Sequence, residues 1–203
     1  MPRDFGLTRR EAGFLRRLSP AWRIQHFLDS IAYDARGSGC RSARRVLRER
    51  TVQCMDAALF AAAALRVQGQ RPLILDLEAE QDDDHVLALF RGPGGWGAIA
   101  RSNYSGLRFR EAVHPTLRSL VLSYVEGYFN LRREKTLRRW SRPVNLARFD
   151  RLRWMTAEED LWAIPNALVD VPHRVLFPNA VLRTFAHVDA RSFEAGLVGR
   201  VEP

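Results

Sequence analysis

The sequence predicts an α+β fold in which a buried helix packs on a small antiparallel sheet, flanked by further helices. Three observations predict it. Residues 55–67 form a helical stretch that is apolar on nearly every side, and a helix hydrophobic all round belongs inside a core. Between Pro72 and Arg101 the hydrophobic period changes to that of strands separated by turn residues. Helical spacing returns on either side of that stretch, which is an α+β order. Of the 203 residues, 46% are hydrophobic and 27% charged, enough for one well-buried core and unlike a disordered or fibrous chain. We read 1–203 as a single domain, with a core over about 20–130 and a basic, helical extension over about 131–203.

The elements follow in order. Residues 1–17 are an amphipathic stretch punctuated by Arg and Glu, without the apolar segment of a secretory signal, and Ser19-Pro20 ends it. A second helix over 21–33 carries Trp22, Ile24, Phe27, Leu28 and Ile31 at helical spacing. Gly37-Ser38-Gly39 is a loop, and 41–50 a short basic helix or turn. The apolar helix 55–67 is capped by Gly69. A strand over 72–77, an acidic loop over 78–84 and a strand over 85–91 come next. The turn Gly92-Pro93-Gly94-Gly95 then returns the chain as a third strand over 96–101. Pro115 opens a helix with Leu117, Leu120, Val121, Tyr124, Tyr128 and Leu131 on one face. Residues 140–154 are basic and aromatic, and Thr156-Ala157-Glu158-Glu159 is a capping box for a last helix, limited by Pro165 and Pro172.

Composition narrows the function classes. No apolar run reaches the roughly 18 residues of a membrane span, and two cysteines supply no disulfide framework. The expectation is a cytoplasmic protein. The net charge is +9, and Lys135 is the one lysine among 32 basic residues, an Arg-rich composition that looks like that of a GC-rich bacterial genome. Basic residues concentrate in 1–50 and 131–154. They lack helix-turn-helix spacing, zinc-finger spacing or interleaved aromatics, so solvated helix faces are favoured over a nucleic-acid surface. No phosphate-binding glycine loop or paired metal-ligand spacing occurs, so neither a cofactor nor a metal is expected.

The pair that can carry chemistry is Cys54 and His85. Cys54 stands at the start of the buried helix, where the helix dipole favours a thiolate and free backbone N–H groups can bind an oxyanion. His85 opens the second strand, from which an imidazole can take the thiol proton and pass it to a leaving group. Taken singly, each has a plainer reading: a small buried hydrophobe, and a hydrogen-bonded histidine. Cys40, after Gly-Ser-Gly, reads as a packed free cysteine or a resolving thiol.

Gln53-Cys54, the helix behind it, Gly69 and a strand-opening His85 resemble the core of the transglutaminase-like superfamily of papain-like cysteine enzymes. Gln25 to Asp29, Cys40-Arg41-Ser42 and Asp82-Asp83-Asp84-His85 resemble an uncharacterised bacterial subgroup, and the likeness covers about 22–128. It implies Cys54 as nucleophile and His85 as base, with the Cys54 N–H and Gln53 supporting an oxyanion. The substrate it implies is a peptide or protein carrying an amide, attacked to give a thioester that water or an amine resolves. The family's third residue is an aspartate after the hairpin, and here that place falls on or near Ala100. Pairing across the turn sums to 187, which sets Ser102 opposite His85. Asn103 is our choice to orient the imidazole through its side-chain carbonyl, with Ser102 next. The acids at 78, 80, 82, 83 and 84 favour a protonated His85, select cationic substrates or dock on the chain's own arginines. Two alternatives stand beside the enzyme: a catalytically degenerate relative that binds a peptide or protein, and an arginine-driven nucleic-acid binder.

Overall fold

The structure is a computed structural model that describes residues 5–202; residues 1–4 of the N-terminal stretch lie outside it. α1 (Arg9–Arg17) opens on a capping box, the Thr8 side chain accepting from the Glu11 N–H and the Glu11 carboxylate from the Thr8 N–H. α2 (Trp22–Asp29) lays Phe27 on Phe60 with ring centroids 4.8 Å apart. β1 (Ala32–Tyr33) and β2 (Thr51–Val52) form a short parallel pair around α3 (Ala43–Glu49). α4 (Cys54–Val67) is the central helix, every residue from Ala57 to Leu65 fully buried. It ends as Gly69 anticipates: Gly69, at φ +89°, donates to the Arg66 carbonyl and Gln70 to that of Leu65. Those are the two bonds of a Schellman stop.

β3 (Leu73–Ala79), β4 (His85–Gly92) and β5 (Gly95–Ile99) follow as an antiparallel meander. Their register is the one the turn dictates, Ala88 opposite Ile99 and Gly92 opposite Gly95. Ile74, Val86, Ala88, Phe90 and Ile99 face the α4 side, while Leu75, Leu77, Leu87 and Leu89 face a second cluster built on Tyr124 and Tyr128. Both faces of the sheet are covered, so its strands read as apolar runs rather than alternations.

The sheet is wider than the three strands the sequence suggests. β6 (Arg110–His114) adds to the β5 edge, followed by α5 (Leu117–Leu122). β7 (Leu137–Ser141) and β8 (Val144–Asn145) share the far edge of β3. After α6 (Ala163–Val169), β9 (His173–Val175) pairs with β7, and α7 (Asn179–Leu182) and α8 (Ala190–Gly196) close the chain. Among the described residues seven strands thus form one sheet, ordered β6-β5-β4-β3-β7-β9 with β8 beside β3. The basic stretch 131–203, expected as a helical extension, supplies three of them.

Two helix assignments are corrected. α5 opens at Leu117 with Thr116 as its cap, so Pro115 lies before the helix rather than at its first position, and α5 stops at Leu122 before a 3-10 turn at Val125–Gly127. Thr156 is buried, its N–H held by the Arg153 carbonyl, and opens no helix. The helix expected there begins at Ala163 and carries Pro165 in its first turn, where a missing N–H costs nothing.

Candidate active site

The N-terminus of α4 is locked before any chemistry is considered. Gln53 is its extended cap, with Oε1 accepting the Met55 N–H at 3.1 Å, and the Asp56 carboxylate returns to the Gln53 N–H at 3.2 Å. Asp56 is fully buried and accepts from the Arg41 N–H at 2.6 Å and its guanidinium at 2.9 Å. Burial raises the Asp56 carboxyl pKa, opposed by these donors. Arg41 also binds Asp34 and Glu49, tying the rim loop, α3 and α4 to one cation. An acid in the first helical turn is well placed against the dipole.

Cys54 is partly exposed. Its sulfur lies 3.2 Å from Gln53 Oε1. Burial pushes the thiol up to about 12, Asp56 and Asp76 adding to the rise and the backbone N–H groups of Val86 and Met55 opposing it. The lowering expected from the helix terminus is therefore overturned, because desolvation of a thiolate exceeds a partial charge. Gln53 is corrected as well. The Met55 N–H requires the side-chain oxygen, so the amide N–H₂ faces the Gly39 carbonyl rather than a bound oxyanion.

His85 is buried, with Nε2 2.9 Å from the Leu107 carbonyl oxygen. A carbonyl only accepts, so Nε2 carries the proton and Nδ1 keeps a lone pair. Burial drives the imidazole down to about 4, the Leu107 carbonyl opposing and Arg110 assisting. The acidic run does not hold it protonated.

The backbone of Leu107 occupies the place expected of Asn103. Asn103 instead donates to the Val201 carbonyl at 2.7 Å and accepts the Val201 N–H at 2.8 Å. Ser102 is buried and accepts the Tyr104 N–H at 3.0 Å. The reason lies in α2. The Gln25 side chain donates to the Ala100 carbonyl at 2.9 Å and accepts its N–H at 3.2 Å, taking the positions of a partner strand. β5 stops at Ile99, and the chain leaves the ladder before Ser102 can face His85.

Cys54, His85, Ser102 and Asn103 nevertheless line one cleft of about 470 Å³, with Asp82, Asp83 and Asp84 on its wall. Part of the acidic run is structural. Asp84 accepts the Ala79 N–H at 2.8 Å and Asp82 the Thr136 hydroxyl at 2.7 Å. Glu78 and Glu80 pair with Arg139 and Arg138. Cys40 is buried outside the cleft and unpaired with Cys54. Sequence reasoning missed the Leu107 carbonyl, which has no side-chain signal, and the buried Asp76, bound to His173 at 3.0 Å. Among the described residues no group of three or more His, Cys, Asp or Glu is placed to hold a metal, and no helix is long and apolar enough to cross a membrane.

Neither a scan of protein-family models nor a search of curated proteins returned a match to this chain.

Proposed function

We infer that this chain is a cysteine-dependent hydrolase or acyltransferase of transglutaminase-like type, acting on an amide of a peptide or protein. One observation carries the reading: Cys54 at the head of α4 and His85 at the head of β4 line one cleft. The Leu107 bond leaves Nδ1 as the basic nitrogen. Cys54 and His85 rest as neutral thiol and neutral imidazole, so the proton leaves as the sulfur attacks the carbonyl carbon. The oxyanion forms beside the Cys54 N–H at the head of α4. The imidazolium then gives its proton to the departing amine, leaving a thioester. Water resolves it in a hydrolase, an amine in a transferase. Two free cysteines suit a reducing compartment such as the cytoplasm.

p-Nitrophenyl acetate and iodoacetamide test this. We expect a nitrophenol burst stoichiometric with protein, lost in Cys54→Ala and slowed roughly a hundredfold in His85→Gln. Alkylation of Cys54 is expected to rise through pH 9 without levelling, as burial of the thiol requires. No burst, with alkylation indifferent to His85→Gln, overturns the reading. A second reading, a degenerate peptide-binding module, is favoured by the neutral partner on His85, which supplies no charge for an imidazolium. It expects peptide binding unaltered by Cys54→Ala and no burst.

A further inference from the structure

We propose that Asn103 and Ser105 are positioning residues, which tether the 102–107 loop to the segment 190–202 so that the Leu107 carbonyl meets the His85 ring. This deepens the cysteine-enzyme reading and rests on it for the catalytic consequence, though not for the geometry.

The loop needs an external anchor. β5 ends at Ile99 and β6 begins at Arg110, so no sheet ladder reaches 102–107. Its own bonds are two, Tyr104 N–H to the Ser102 hydroxyl at 3.0 Å and Leu107 N–H to the Tyr104 carbonyl at 3.2 Å. One flank is held by Arg110, which donates to the Gly106 carbonyl at 2.8 Å and the Ser123 hydroxyl at 3.1 Å. The other flank is held by the segment. Asn103 both donates to and accepts from the Val201 backbone, and Ser105 donates its hydroxyl to the Ala195 carbonyl at 2.7 Å and its N–H to that of Gly196 at 2.9 Å. Tyr104, between them, meets Phe129 edge-on at 5.6 Å. The segment reaches this loop because Gly196 has no side chain: a Cβ there would sit 2.3 Å from Phe129 Cζ. Four hydrogen bonds and an aromatic contact thus hold a loop whose Leu107 oxygen accepts the Nε2 proton of His85. Asn103 acts on the imidazole after all, at one remove.

Nitrogen NMR of the histidine-labelled protein reads the tautomer of His85 directly. The parent chain is expected to show one Nε2–H tautomer. Asn103→Ala, and separately Val201→Pro, which deletes the N–H that Asn103 accepts, should mix the tautomers. Each should speed exchange of the ring proton roughly three- to tenfold. The double variant should do no more than Asn103→Ala alone, because that change already removes both bonds to Val201. Asn103→Asp, which keeps the acceptor, should recover part of the signature. Val201 is exposed, so Val201→Pro gives the reading on folded protein if Asn103→Ala melts. An unchanged His85 signature in both single variants overturns the proposal. The signature is read without substrate, so a failed burst leaves it standing and a failed tether leaves the thiol chemistry untouched.

Discussion

At His85 burial outweighs the charges around it, and this gives the residue a pH signature of its own. The pKa falls from the ordinary 6.5 to about 4 because the ring is desolvated, which is worth on the order of 3 kcal/mol between the two protonation states. The folded chain therefore binds fewer protons than the unfolded chain between those values. Stability from this group is fully present above pH 6.5 and is lost as the pH falls toward 4. Urea titrations of the parent and of His85→Gln, across pH 7.5 to 4.5, isolate it from the buried Asp76, whose carboxyl burial raises to about 6. The stability difference between parent and variant should move by on the order of 3 kcal/mol over that range. A pH-independent difference would mean that the imidazole is solvated. His85 and Cys54 were legible in the sequence because each opens its own element. The partner of His85 was not, since any residue's carbonyl can accept a hydrogen bond, and Asn103 drew attention only through its side chain.

The head of α4 depends on a cation supplied from outside the helix. Arg41 and Asp56 are buried together at 2.9 Å. Removing one partner of such a pair strands the other charge at a cost of about 3–5 kcal/mol. Arg41→Met is expected to lose that much stability in urea denaturation, and to release the cap that aims Gln53 at the Cys54 sulfur. A loss below about 1 kcal/mol would show Asp56 satisfied by its N–H donors alone. α4 and the β3–β5 meander were readable from local periodicity and from Gly69, whose backbone closes the helix as its type predicts. β7 and β9 were not. Arg138 and Arg139 interrupt the apolar pattern of β7, and the acids that neutralise them lie far off in the sequence, on β3 and its loop. The premature end of β5 is set by Gln25, in a helix that carries no mark of that duty.

Over the whole molecule, the 32 basic residues overstate the free positive surface. In the second basic cluster Arg132, Lys135, Arg138 and Arg139 each pair with a glutamate. Binding to a short DNA duplex is accordingly expected to be weak, with a log–log salt slope equivalent to fewer than about 3 phosphates, unchanged by neutralising Arg138 and Arg139. A slope near −6 that collapses in that variant would restore the nucleic-acid alternative. The sheet's wiring has one more effect. β3 gains β4 at once on one side, whereas its other side stays bare until β7 and β8 have been made. While the ribosome is still translating, that flank is an unsatisfied hydrogen-bonding edge in the middle of the future sheet. A shortened chain ending before β7 would keep every residue of the cleft and yet carry this sticky seam permanently, joining its copies into aggregates.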